Sequence, residues 1–142
     1  MMQAAVVDAN VAVKWVLAEA GSDRACSLSA IPLQAPGLLH VECANILWKK
    51  VRLGELSKDR ALKDFVVLLR APVALTRTSE LLDDALRLAI ELRHPVCDCL
   101  YLALALRHDL PLVTADRRLV AAARKDSKLA GLVILLDDLP LD

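Results

Sequence analysis

Aromatic residues are scarce: two Trp, one Tyr and one Phe make up 3% of 142 residues, so a core here must be built from Leu, Ala and Val. Glycine is nearly as rare, with four in the chain and no Gly-rich loop after any apolar segment, which excludes the backbone cradle of nucleotide phosphate-binding motifs. The longest unbroken apolar run, Leu100 to Leu106, falls far short of the roughly 18 residues needed to cross a bilayer. The first residues carry no basic segment or cleavage-like stretch, and no secretory signal is expected. Charge of either sign is not in excess, 18 basic against 18 acidic residues, so no global basic field attracts nucleic acid and local patches would have to serve. Four cysteines, Cys26, Cys43, Cys97 and Cys99, lack Cys-x-x-Cys spacing and read as reduced thiols of a cytoplasmic protein. The three histidines, His40, His94 and His108, show no metal-ligand spacing.

What is abundant is aliphatic: hydrophobic residues reach 56%. A chain of this length suits a single domain over residues 1–142, able to bury roughly two-thirds of its unfolded surface. Mean hydropathy of +0.44 leaves apolar surface to spare and predicts a dimer or a permanent partner.

Five β-rich segments stand out, Gln3 to Val7, Pro32 to Ala35, Val73 to Thr76, Leu112 to Thr114 and Leu132 to Leu136. Between them the pattern is helical: Val11 to Ala20, Asp23 to Ala30, Gly37 to Arg52, Ser57 to Arg70, Ser79 to Arg93, Cys97 to Arg107 and Arg117 to Lys125. Such alternation predicts a mostly parallel sheet with helices on both faces. The helix Ser79 to Arg93 cannot be placed relative to that sheet from the sequence.

Four acids occupy special positions in this scheme. Asp8 closes the first strand and Asp116 follows the fourth, so both lie at the carboxyl edge of a parallel sheet, where ligands bind. Glu42 falls in the first turns of the helix leaving the second strand. Asp98 begins a helix joined to the fourth strand by four residues, so that helix runs back and its start returns to the same edge. Taken singly, Asp8, Asp98 and Asp116 read more readily as helix N-caps than as ligands; Glu42, on a strongly apolar helix, is harder to dismiss, and a buried ion pair is its alternative. Their convergence is the signal. Carboxylates gathered without interleaved bases repel one another, and a hard divalent cation with oxygen ligands relieves this and can activate water. Asn10 and Thr114 are placed to orient Asp8 and Asp116, while Arg117 and Arg118 could engage RNA phosphates. Lysines and arginines at Lys49 to Arg52 and at Arg124-Lys125 read as solvated helix ends. Trp15 and Trp48 read as core or interface anchors.

The segments Val6-Val7-Asp8-Ala9-Asn10, Leu38-Leu39-His40-Val41-Glu42, Asp98-Cys99-Leu100-Tyr101-Leu102-Ala103 and Thr114-Ala115-Asp116-Arg117-Arg118, in this order and at these separations, resemble the PIN-domain ribonucleases, especially the VapC-type toxins of toxin–antitoxin pairs. That resemblance implies a three-layer α/β/α sandwich around a mainly parallel sheet of about five strands. It also implies a Mg²⁺- or Mn²⁺-dependent endoribonuclease in which Asp8, Glu42, Asp98 and Asp116 supply the metal site, supported by Asn10 and Thr114. Its expected partners are structured RNA such as tRNA, a VapB-type antitoxin and a second copy of the chain, with the helical pair Gly37 to Arg52 and Ser57 to Arg70 as the dimer or antitoxin surface.

Two other readings stand beside this one. A PIN-like fold that binds RNA or protein without cutting would share every feature above. An aspartyl-phosphate phosphatase would use Asp8 as nucleophile, although Asn10 replaces the second carboxylate that such chemistry needs. A thiolate Zn²⁺ site at Cys97 and Cys99 is disfavoured, because residues two apart on a helix point to different sides.

Overall fold

Short strands whose residues are all apolar must be covered on both faces, and β1 (Ala5–Val7) is buried throughout. In the computed structural model, which describes residues 2–140, β1 lies at the centre of a five-stranded sheet with β2 (Leu33–Pro36), β3 (Val73–Thr76), β4 (Leu112–Thr114) and β5 (Val133–Leu135). The order is β3-β2-β1-β4-β5 and every neighbouring pair is parallel. The expected segments all form, although β1 starts two residues later than its apolar pattern and β2 extends to Pro36.

Alternation along β1 divides the core in two. Val6 joins Ala35, Leu112 and Val133 beneath the helices α3 (Leu38–Arg52), α5 (Thr78–Leu92), α6 (Val96–His108) and α7 (Arg117–Arg124). Ala5 and Val7 face the other way, with Leu33 and Val113, toward α2 (Ser22–Ser27) and the 3-10 turn Leu136–Asp138. The result is the expected three-layer α/β/α arrangement. Helix α6 is apolar on all sides, and Cys99 through Ala105 are all buried against the sheet. Helix α5, which sequence alone could not place, packs along α6 after a three-residue turn. Helix α4 (Lys58–Arg70) packs on α3.

The region before β2 departs from expectation. Instead of a helix over Val11 to Ala20, α1 (Ala9–Ala12) gives way to a 3-10 turn at Val13–Trp15. β-Branched Val11, Val13 and Val16 weaken helix propagation there. The chain is then fixed by side chains: Lys14 Nζ donates to the Ala20 carbonyl at 2.8 Å, and Trp15 Nε1 to that of Ala25 at 2.8 Å. Gly21 turns the backbone at φ 88°, a conformation that strains other residues. Helix α2 likewise tightens into 3-10 geometry at Leu28–Ala30, where Ser27 and Ser29 hydroxyls donate to carbonyls three residues earlier.

Strand order reverses around β1, with β2 on one side and β4 on the other. The loops leaving β1 and β4 diverge at this point and open a crevice at the carboxyl edge. Asp8 immediately follows β1, and Asp116 stands two residues beyond β4.

Candidate metal centre

Asp8 caps α1, as its position before a helix predicts: its Oδ1 accepts the Val11 N–H at 3.0 Å. Its Oδ2 accepts the hydroxyl of Thr114 from the adjacent strand. Both bonds favour the carboxylate, yet burial outweighs them. Asp8 is 5% exposed, and desolvation, reinforced by the nearby charges of Asp98 and Glu42, raises its pKa from the ordinary 3.8 to about 7. Thr114 is fully buried and also accepts the Asp116 N–H at 3.0 Å, so one hydroxyl ties the ends of β1 and β4 together. With both oxygens engaged, Asp8 is poorly disposed to act as a free nucleophile, which counts against the phosphatase reading.

Glu42 is half-buried on α3, and its partner is not the basic residue of an ion pair. Tyr101 of α6, 1% exposed, donates its hydroxyl to Glu42 Oε1 at 2.5 Å. Burial raises the Glu42 pKa, the Tyr101 bond lowers it, and the Asp98 charge raises it again. The phenol in turn is pushed well above its usual range by burial and by the facing carboxylate. Tyr101 stands three residues after Asp98, so one face of α6 delivers both.

Asp98 sits in the first turn of α6, but it does not cap that helix. Its Oδ2 lies 2.7 Å from Nε2 of His94, four residues earlier and just ahead of the helix. The spacing of the histidines left His94 outside the site. The i,i+4 separation from Asp98 was the available signal, hidden by Pro95 between them. Asp116 is the N-cap of α7, its Oδ1 accepting the Arg118 N–H at 2.9 Å.

Asp8, Glu42 and Asp98 line one cavity of about 370 Å³, together with Asn10, Asn45, Cys97, Tyr101 and a rim of aliphatic side chains. No Lys or Arg lines it among the described residues. Hard oxygen donors facing one cavity without a counter-charge fit Mg²⁺ or Mn²⁺, which favour carboxylate, carbonyl and water ligands, although among the described residues the ligand atoms of Asp8, Glu42 and Asp98 do not approach one another as closely as those of His94, Asp98 and Asp116. Asp116 does not line this cavity. It lines a neighbouring one of about 600 Å³ with Asn10, Lys14, Lys50, Arg117 and Arg118, and its carboxylate approaches the Asp98–His94 pair, all three ligand atoms lying within 4.8 Å of one another. Asn10 is exposed at the junction of the two cavities and hydrogen-bonds neither Asp8 nor Asp116 among the described residues. Arg118 projects into solvent, and Arg117 pairs with Asp137 at 3.0 Å.

The thiols stand apart from this chemistry. Cys97 is exposed at the cavity while Cys99 is buried on the other side of α6, as their spacing predicts. Burial raises the Cys43 thiol to about 12 and the Cys99 thiol to about 11, so neither offers a ready thiolate to a soft metal.

A parallel, doubly covered sheet with carboxylates gathered at its switch point defines a class of α/β domains. Within that class the chain belongs to the PIN domain family, whose model matches residues 5–125. Among solved structures, PAE2754 from Pyrobaculum aerophilum is similar at 26% identity and a TM-score of 0.71, covering 94% of this chain and 83% of that one. Mycobacterium tuberculosis VapC20, described as a Sarcin-Ricin loop cleaving toxin, is similar at 16% identity and a TM-score of 0.62, covering 83% of this chain and 94% of that one. A toxin–antitoxin complex from Klebsiella pneumoniae gives 16% identity and a TM-score of 0.60, covering 93% and 97%. At 16% identity these last two likenesses speak to fold. No curated protein matches the chain by sequence.

Proposed function

We propose that this protein is a divalent-metal-dependent endoribonuclease, the toxin of a toxin–antitoxin pair, acting as a single PIN-like domain over residues 1–142. The observation that carries this reading is the shared cavity of Asp8, Glu42 and Asp98, free of basic side chains among the described residues and set at the switch point of a PIN sheet. These three acids, with Asp116 alongside, would hold Mg²⁺ or Mn²⁺. Such an ion, when bound, supplies an activated water for in-line attack on a phosphodiester and neutralises charge as the leaving oxygen departs.

The surrounding side chains prepare that site. Thr114 and the Val11 N–H fix the Asp8 carboxylate in one orientation. Tyr101 occupies Oε1 of Glu42, a residue that lines the cavity, and leaves Oε2 without a hydrogen bond among the described residues. Lys14, Lys50, Arg117 and Arg118 line or border the neighbouring cavity, each paired with an acid, Lys14 and Lys50 with Glu19, Arg117 with Asp137 and Arg118 with Asp116, so an RNA backbone bound there would exchange its phosphates for those carboxylates. Among the described residues no helix is long and apolar enough to cross a membrane.

Exposed apolar side chains support protein partners. Val41 and Trp48, seven residues apart on one side of α3, and Leu62 and Val67 on α4 are each more than half exposed. Leu82, Leu86 and Ile90 form a face along α5. In this reading a second copy of the chain and a VapB-type antitoxin cover these faces.

The test is cleavage of total tRNA by the purified chain freed of any co-purifying partner, in Mg²⁺ and in EDTA, beside Asp98→Asn. Discrete fragments that require metal and disappear in the variant are expected. Cleavage surviving both EDTA and the substitution overturns the mechanism; a folded, Mg²⁺-binding chain that cuts no RNA leaves the family's fold serving as a binding module.

A further inference from the structure

We propose that His94 is a nitrogen ligand of the metal centre, forming with Asp98 and Asp116 a mixed nitrogen–oxygen subsite beside the oxygen-only group of Asp8, Glu42 and Asp98. This inference rests on the metal-dependent reading above and assigns a role to a residue outside the four acids. One ligand atom each from His94, Asp98 and Asp116 lies within 4.8 Å of the others. Donors on opposite sides of one ion stand about 4.2 Å apart when each bond is about 2.1 Å, so small side-chain adjustments bring all three around a single cation.

His94 is held where a ligand is needed. Its side chain is 11% exposed, with Nε2 directed at the Asp98 carboxylate 2.7 Å away. The preceding Arg93 adopts a left-handed conformation, φ 54°, and the N–H groups of both Arg93 and His94 point to the Ala89 carbonyl at the end of α5. Pro95 then restrains the backbone of His94 toward extended geometry. The ring is delivered by a stiff turn between two packed helices.

The cavities explain why Asp98 would be shared. It lines the crevice of Asp8 and Glu42, whereas Asp116 lines the neighbouring one, so the four carboxylates do not surround a single point. Asp98 stands between, with Oδ2 toward His94. A carboxylate so placed can bridge two ions. The imidazole also changes selectivity, because a nitrogen donor favours Mn²⁺, Co²⁺ and Zn²⁺ over Mg²⁺.

The experiment is pulsed electron paramagnetic resonance of the full chain loaded with Mn²⁺, together with Mn²⁺ and Mg²⁺ titrations by calorimetry, for wild type and His94→Gln. Wild type is expected to show nitrogen coupling to Mn²⁺, which His94→Gln loses. The ratio of Mn²⁺ to Mg²⁺ affinity is expected to fall at least tenfold in the variant. A residue that merely orients Asp98 would weaken both ions alike and give no nitrogen coupling, and that result overturns the proposal. So does nitrogen coupling that persists in His94→Gln. Wild-type spectra without nitrogen coupling overturn the proposal even if His94→Gln does not fold, and His94→Ala then serves as the second variant in which the coupling must be lost. Mn²⁺ bound with oxygen ligands alone defeats this inference while sparing the metal-dependent reading; a chain that binds no Mn²⁺ or Mg²⁺ defeats both.

Discussion

Replacing Asp8 by Asn should stabilise the metal-free protein at alkaline pH and leave it nearly unchanged in acid. The folded state holds the Asp8 proton up to a pKa of about 7, against 3.8 for the ordinary side chain. Between those values the native protein binds more protons than the unfolded chain, so native stability falls as pH rises through the interval. Below 3.8 the carboxyl is neutral in both states and the penalty is absent. Above 7 it is ionised in both and the penalty is complete, about 4 kcal/mol at roughly 1.4 kcal/mol per tenfold.

Asn keeps the oxygen that caps α1 and carries no charge. Urea unfolding in EDTA at intervals from pH 4 to pH 8 measures the difference directly. The variant should gain about 4 kcal/mol on wild type across that range, most of it between pH 5 and 7. Excess Mg²⁺ at pH 8 should shrink the gap by stabilising wild type alone, by about 2.7 kcal/mol at a hundred times its dissociation constant. A stability difference independent of pH in EDTA would refute the claim that Asp8 is ionised at a cost.

Tyr101→Phe removes the hydroxyl donated to Glu42 at 2.5 Å, so the Glu42 pKa should rise further and Mn²⁺ affinity should drop about tenfold, more at pH 6 than at pH 8, by calorimetry. Equal affinities in the two proteins would detach Glu42 from the centre. Leu102→Ala, at a position 0% exposed within α6, should cost about 3 kcal/mol in urea unfolding, and a loss under 1 kcal/mol would contradict the close packing of that helix.

How legible the fold was depends on the scale of the signal. Strand and helix alternation was plain, because Val-rich runs such as Ala5–Val7 and Val133–Leu135 contrast with helical periods in Ser57 to Arg70 and Ser79 to Arg93. Chain connectivity alone brought Asp8, Glu42 and Asp98 to one edge, and the cavity they line follows from it. The break after Ala12 was hidden, since its cause lies in tertiary hydrogen bonds from Lys14 and Trp15. His94 and Tyr101 were missed for a different reason. Each touches an acid through side-chain geometry that no single helical period records, one across a proline and the other between α3 and α6. Asp116 reaches the centre from a separate cavity, because Ala115 adds a residue between β4 and the cap of α7.

Capping and the proposed metal binding are not rival explanations for Asp8, and their magnitudes differ. An N-cap contributes about 1 kcal/mol, and Ser, Thr or Asn would supply it without any charge. The helix it caps here has four residues, so little else is gained from the cap. Against that stands the penalty of about 4 kcal/mol for holding an ionised carboxylate in a site that is 5% exposed, beside two further acids. A residue chosen for the cap alone would be uncharged. The negative charge is in excess of what the fold requires, and the same excess recurs at Glu42, where burial raises the pKa and the compensating partner is a neutral phenol. In the proposed metal-dependent reading a divalent cation would turn both penalties into binding energy, and the stability lost in its absence would measure how strongly the folded chain is organised to receive it.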